Sequence, residues 1–397
     1  MSGVSLGRRW LTTSIIAIGL ASLLSDACYE LIIPLLPAFV TALGGGALAV
    51  GLIEGVADAA AAGAKLWGGS LADRTPRRRA WTAAGYVGVG IFMPAIAFAA
   101  SVPAVLAARA AAWVFRGFRS PIRDTLLVDN TEPKFVNRAF GFQRALDTVG
   151  AVIGPAAAML MVAVHVPLRT VIAFGFIPGL LAGVMYVFVR ERARTPAPSR
   201  PLHLVLSELP VAFKQYVVGA GIFGIGNFSA TLLVLVAIRA LTPAVGSTAA
   251  VVYATGMYLA HNVIYASLAY PAGVISERLG SGRMLAIGFG IFVATCAVVA
   301  LGSTSVPAVA AAFVLAATSI AIVDPMEGAF ATSLLPAERR GTGFGLLAAI
   351  NGVGDLVSSA GVGALWQFAN ARLAFAAAGV ACLIGIFLVL PVAARRA

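Results

Sequence analysis

The chain has 397 residues, 60% of them hydrophobic and only 11% charged, with a formal net charge of +12. A soluble globular domain carries about 25% charged residues, so this composition excludes an ordinary soluble enzyme and points to an integral membrane protein. Apolar runs near the ~20 residues that a helix needs to cross a bilayer recur along the whole length, the alternating pattern of a membrane β-barrel is absent, and no soluble basic domain stands ready for nucleic acid.

Twelve spans are predicted, over residues 13–41, 47–71, 80–100, 103–127, 137–163, 168–189, 212–239, 248–275, 284–301, 305–330, 341–366 and 371–391. The first contains SDACYELIIPLLPAF, which sets Asp26 and Glu30 one helical turn apart beside Tyr29. A bilayer core costs roughly 2.5–3.5 kcal/mol for one ionised side chain, so two acids here require partners or a water-filled path. Span 2 carries Glu54 and Asp58 one turn apart, and Lys65 follows on the same face. Span 4 carries a stripe of Arg116, Arg119 and Arg123, and span 5 carries Arg144 and Asp147 in GFQRALDTVG. Arg116 and Arg144 are the available counter-charges, either as structural ion pairs or as substrate ligands. The four acids of spans 1 and 2 exceed the nearby basic groups. At least one can therefore share or exchange a proton, and the group titrates as a coupled set. The candidates for proton coupling are Asp58 and Glu54, then Asp26 and Glu30, with Asp147 beside them.

Spans 7 to 9 lack charge in their interiors and offer Asn227, His261, Asn262 and Tyr265. Span 10 adds Asp324 and Glu327, and span 11 adds Asn351 and Asp355. Asp324, near one end, reads as a helix-end or gating residue. A site between the two sets of six would join a charged wall, including Tyr29, Arg116 and Arg144, to a mainly polar and aromatic one. That suits an amphipathic organic solute better than a bare inorganic ion. Cys28, Cys296 and Cys382 lie far apart in apolar segments and read as small hydrophobes rather than a disulfide framework.

Lys and Arg cluster in alternate connections: DRTPRRR, EPKFVNR, RERARTPAPSR, SERLGSGR, PAERR and the final ARR. By the positive-inside rule these face the cytoplasm, as do both termini. MSGVSLGRRW has no cleavage pattern and is read as leading directly into the first span. The polar interval 190–211 divides the chain, giving domains 1–189 and 212–397 joined by a cytoplasmic linker, and LHLVLSELPVAFKQY reads as a short amphipathic surface helix.

The halves repeat. Gly69, Asp73, Arg74 and Arg79 match Gly273, Glu277, Arg278 and Arg283 at one constant offset. The same offset sets Phe140-Gly141 on Phe344-Gly345 and Asp147 on Asn351. Parallel six-helix repeats are a known transporter plan. With GGSLADRTPRRR between spans 2 and 3, and VGAVIGPAAA in span 5, the chain resembles the major facilitator superfamily, and within it the proton-coupled drug exporters. The resemblance implies an all-α fold of twelve transmembrane helices in two parallel repeats. It also implies a cytoplasmic gate at Gly69, Asp73, Arg74, Arg79, Glu277 and Arg278, and an exporter element at Gly150, Gly154 and Pro155. Arg77, Arg78 and Arg79 equally fit plain positive-inside topology.

No GxxxxGK[ST] loop, metal-ligand cluster, soluble nucleophile motif or repeated TVGYG filter is present, so neither enzyme activity, a cofactor, a metal nor a potassium channel is expected. The expectation is a monomeric, multi-pass transporter of the bacterial inner membrane, exporting a small amphipathic solute in exchange for protons. Proton-coupled uptake of an organic acid or other small anion is the alternative, and a non-transporting receptor or scaffold is another.

Overall fold

Long apolar runs give long helices. The computed structural model describes residues 11–191, 209–336 and 340–394, and within these the side chains of Asp73, Arg74, Asn137, Arg340, Gly341, Thr342 and Ala394 fall outside the description. The helices are α1 (Thr13–Ala42), α2 (Ala47–Arg74), α3 (Arg78–Phe98), α4 (Val102–Asp129), α5 (Val136–Ala163) and α6 (Leu168–Phe188). After the linker come α7a (Val211–Gly224), α7b (Ala230–Val245), α8 (Ser247–Leu279), α9 (Ser281–Gly302), α10 (Val306–Leu334), α11 (Arg340–Phe368) and α12 (Ala371–Ala394). Among the described residues nine helical stretches are long and apolar enough to cross a membrane. The outward surface is apolar, with Leu160, Val187, Leu301 and Phe387 all more than half exposed. A water-soluble protein rarely shows such a surface, and a lipid-facing one must. This is an all-α, multi-pass membrane protein.

Two local features differ from the expected spans. α1 passes through a short 3-10 turn at Ile33–Leu35, where Pro34 removes a backbone donor. The span expected as continuous over 212–239 breaks between Gly224 and Ala230, where GIGNFS is poor in helix formers. Ser229 caps the restart, its Oγ accepting from the Thr231 N–H. The expected amphipathic surface helix over 202–216 falls in part, over 202–208, outside the described residues. Phe213 and Tyr216 are fully buried in α7a.

α1 packs on α5 and α6, α2 on α4, α3 on α4 and α6, α9 on α10 and α12, and α7a on α12. Contact between the first six helices and the rest runs mainly along two seams, α2 with α11 and α5 with α8. The α2–α11 seam is backbone on backbone. A Cβ at Gly51 would sit 2.0 Å from the Ser359 carbonyl oxygen, and one at Gly363 would sit 2.6 Å from that of Ala47. Small residues permit this approach. The same chemistry joins α5 to α1, where a Cβ at Gly150 or Gly154 would meet the α1 backbone at 2.3 and 2.7 Å.

The α2–α11 seam is tight from its Ala47 end as far as Ala62, which a Cβ at Gly352 would meet at 2.2 Å. Near the 43–46 connection, the Ala47 N–H donates to Gln367 Oε1 at 3.1 Å. Toward the DRTPRRR end, a Cβ at Gly69, Gly141 or Gly273 meets nothing within 4 Å among the described residues. A cleft between the two sets of helices therefore opens at the arginine-rich end, and the α2–α11 seam closes along its other half.

Candidate functional site

Two adjoining chambers of about 350 and 640 Å3 lie along this cleft. They share Ala230, His261, Ile320 and Asp324 as a common wall. The smaller is acidic. Asp58 of α2, Asp324 and Glu327 of α10 and Asp355 of α11 line it together with Asn227 and Asn351, and among the described residues its lining holds no Lys or Arg. The larger carries Asp26, Tyr29, Glu30, Lys65, Arg116, Arg144, Asp147, Tyr258, Asn262 and Tyr265. It also carries Arg119 and Arg123.

Nearly all the expected proton and substrate residues therefore converge on one cleft. Glu54 alone of the acids sits behind the walls. It is buried and paired to Arg109 at 2.9 Å, a residue the sequence reading passed over. Its Oε2 also lies 3.5 Å from Ser229 Oγ of α7b. The Arg109 guanidinium lies 3.3 Å from the centre of the Trp113 ring, a desolvated cation–π contact. The other edge of that ring donates from Nε1 to Asp58 Oδ1 at 2.9 Å. Arg109 is seven residues before Arg116, so the stripe on α4 begins two turns earlier than was read, and that spacing was the available signal.

The expected counter-charges behave differently from simple partners. Arg116 donates to the Tyr29 hydroxyl at 3.4 Å and lies over the rings of Tyr29 and Trp113 at 5.0 and 5.2 Å. Arg144 is 3.9 Å from Asp147 and 76% exposed, a loose pair at the cleft mouth. Asp147 is held more firmly by Gln143, whose Nε2 donates at 2.6 Å and also reaches Ser22. Lys65 is within electrostatic reach of Asp58 and Asp355 but bonds neither among the described residues.

Further ties cross from the first six helices to the last six at the larger chamber. Glu30 Oε2 accepts from Tyr258 at 2.9 Å and from Asn262 at 3.1 Å, and Asn262 also donates to the Ala151 carbonyl. His261 Nδ1 lies 3.3 Å from Asn262 Oδ1. Tyr258, one turn before Asn262 on the same face, was missed. Within the last six helices, Tyr265 donates to Asp324 at 3.2 Å and Asn351 to Glu327 at 2.8 Å. Asp324 thus stands on the wall shared by both chambers, not at a helix end as expected. The second wall sets the carboxylates of Asp324, Glu327 and Asp355 among polar and aromatic side chains such as Asn227, Asn351, Phe223 and Phe292.

At the arginine-rich end, Asp73 and Arg74 finish α2, and their side chains lie outside the described residues. Glu277 and Arg278 are exposed at the end of α8. The Arg79 N–H donates to Glu191 at 2.9 Å. Arg78, read as a topology residue, is 3% exposed and bonds the Ala72 carbonyl at 2.7 Å and Asp129 at 3.4 Å. Gly150 and Gly154 serve the α1–α5 contact described above, and Pro155 lies inside α5.

The family description Major Facilitator Superfamily matches residues 18–260 and 217–397. An uncharacterized MFS-type transporter of Methanocaldococcus jannaschii is 26% identical over 366 residues, covering 90% of each chain. An uncharacterized protein of Mycobacterium tuberculosis is 31% identical over 229 residues, which span 53% of this chain and 55% of that one. Among solved structures, a mutant of the nucleoside transporter NupG overlays with a TM-score of 0.79 at 12% identity, covering 95% of this chain and 99% of that one. A mutant of the peptide transporter POT in complex with alafosfalin gives 0.79 at 14% identity, covering 96% and 94%. A bacterial homolog of the human lysosomal transporter Spinster, inward-facing and occupied, gives 0.73 at 16% identity, covering 96% of each chain. At these identities the likeness is one of fold.

Proposed function

Since the chain belongs to the Major Facilitator Superfamily, and so moves small molecules across a membrane rather than catalysing a reaction, we propose that it exports a small amphipathic organic solute in exchange for protons by alternating access. One observation carries this reading. Carboxylates from both sides of the cleft, Asp58 of α2 and Asp355 of α11, line the same chamber without an ion-pair partner among the described residues. Two acids that meet across a moving seam can take up and release a proton as the seam opens and closes. Glu54, bonded to Arg109, is assigned to structure instead.

The architecture is twelve transmembrane helices in two parallel repeats, 1–189 and 212–397, joined by the linker 190–211. A packing detail supports the repeat. Gly354 is 204 residues after Gly150. A Cβ on Gly354 would lie 3.0 Å from Gly224 of α7a, as one on Gly150 would meet α1. With the arginine-rich loops and both termini cytoplasmic, the cleft described here is open to the cytoplasm, the state in which an exporter loads.

The cycle then runs as follows. Proton loss from Asp58 or Asp355 to the cytoplasm leaves an anionic chamber that attracts the solute's basic group. The gate around Asp73 closes, the α2–α11 seam near Gly51 and Gly363 parts, and protonation from outside discharges the solute. The electrical part of the gradient supplies about 2.3 kcal/mol per charge per 100 mV. Uptake of an organic acid is a second reading, favoured by the arginines of the larger chamber, and flux direction separates the two.

The test is purified protein in liposomes loaded with a pH-sensitive dye, challenged with amphipathic cations, neutral drugs and organic anions. Solute-driven proton flux is expected in wild type and its loss in Asp58→Asn and Asp355→Asn, with solute exchange retained. Proton flux that persists undiminished in both variants sinks the coupling assignment.

A further inference from the structure

Arg119 has no role in the cycle above, and its surroundings are unusual. It is 2% exposed, yet Nε and Nη1 are buried without any hydrogen-bond partner. Its guanidinium stacks 3.7 Å from the centre of the Tyr86 ring, and the side chain lines the larger chamber. A desolvated cation is expensive to hold unpaired. Of the acids that line the chamber, Asp124 pairs with Arg123 at 2.8 Å, Glu30 is held by Tyr258 and Asn262, and Asp147 accepts from Gln143 through Oδ2 while its buried Oδ1 has no hydrogen-bond partner. None of them forms an ion pair with Arg119 within 4.0 Å among the described residues. Asp26 also lines the chamber but forms no ion pair with Arg119 within 4.0 Å. Arg116, one turn away, donates to a neutral hydroxyl rather than a carboxylate. The larger chamber thus holds guanidinium groups in want of an anion. The adjoining chamber holds Asp58, Asp324, Glu327 and Asp355, none of them in an ion pair within 4.0 Å among the described residues, with Lys65 in electrostatic reach of Asp58 and Asp355.

From this opposed pair of chambers we infer that the transported solute is zwitterionic, its oxyanion group (carboxylate or phosphate-like) bound at Arg119 with Arg116, and its amine bound among the carboxylates across the Asp324 wall. The planar guanidinium fork fits such an oxyanion by paired hydrogen bonds, and Tyr86 holds the fork in place from behind. This deepens the proposed function and rests on these chambers being the solute path. It does not rest on the direction of flux or on proton coupling.

The experiment measures ligand-induced thermal stabilisation and gradient-free counterflow of purified protein. The probes are matched series built on ethyl, phenylethyl and indolylethyl cores, each as the amine alone, the amino acid, the aminophosphonate and the carboxylate alone. In at least one series the zwitterion should bind about tenfold or more tightly than the amine alone and the acid alone, as expected for a desolvated charged hydrogen-bond pair. The amino acid and aminophosphonate arms tell which oxyanion fits. Arg119→Gln should erase the preference over the amine while still binding the amine, and Arg119→Lys should retain part of it. A side chain that only stacked on Tyr86 would change melting temperature and leave the preference ratio intact. Equal binding of amine and zwitterion in every series, or a preference unchanged in both Arg119 variants, overturns the inference. Proton coupling fails separately. A zwitterion preference without solute-driven proton flux leaves this inference standing and removes the coupled cycle. Proton flux driven equally by amine and zwitterion does the reverse.

Discussion

Glu54 of α2 and Arg109 of α4 form a 2.9 Å ion pair whose side chains are 4% and 1% exposed. Removing one partner strands the other charge away from water, a loss of about 3–5 kcal/mol. Arg109→Leu should therefore lower the thermal midpoint in detergent sharply, and the double variant Arg109→Leu with Glu54→Leu should recover most of the loss. A double variant no more stable than Arg109→Leu alone would show that the pair is not a closed electrostatic unit.

Glu30 is tied across the cleft by Tyr258 and Asn262. Hydrogen bonds to a charged group are each worth about 1.5–3 kcal/mol. Tyr258→Phe should shift the population away from the state open at the arginine-rich end by about tenfold. Spin labels at Ser70 and Phe344 read this as a gain of short distances between α2 and α11. An unchanged distance distribution would mean that the tie exists in both states equally.

The Gly51–Ser359 approach leaves no room for a side chain. Gly51→Leu should keep the α2–α11 seam apart at its closed end. Transport should be lost without loss of folding, and the same spin labels should report the opposite conformation. Wild-type counterflow in this variant would mean that the seam never needs to close tightly.

Arg78 and Arg77 are neighbours with opposite prospects. Arg78 is buried on the Ala72 carbonyl and Asp129, whereas Arg77 is exposed. Arg78→Ala should destabilise by about 2 kcal/mol or more, while Arg77→Ala should stay within about 0.5 kcal/mol. Equal melting temperatures for the two variants would return Arg78 to a mere topology residue.

Much of the fold was readable because a bilayer imposes its own length and polarity on each helix. The spans around α2, α4, α5 and α9 were found nearly to their ends. The break before α7b was not, because hydropathy averages over GIGNFS and registers only its apolar neighbours. The site was readable as a set, since acids and arginines in apolar runs have few other uses. Their partners were not. Pairing depends on how helices are rotated against one another, which sequence spacing within a single helix does not report. Hence Arg109 was overlooked although it shares a face with Arg116, and Asp324 was placed at an end although it stands on a shared wall.

Trp113 has a guanidinium on its face and a carboxylate at its edge. Its indole therefore borders both the guanidinium of Arg109 and the carboxylate of Asp58. On the coupling role proposed for Asp58, a proton arriving there would change the acceptor of the indole N–H. The fluorescence of this ring, isolated by replacing the other four Trp with Phe, is then expected to respond to pH without label or substrate.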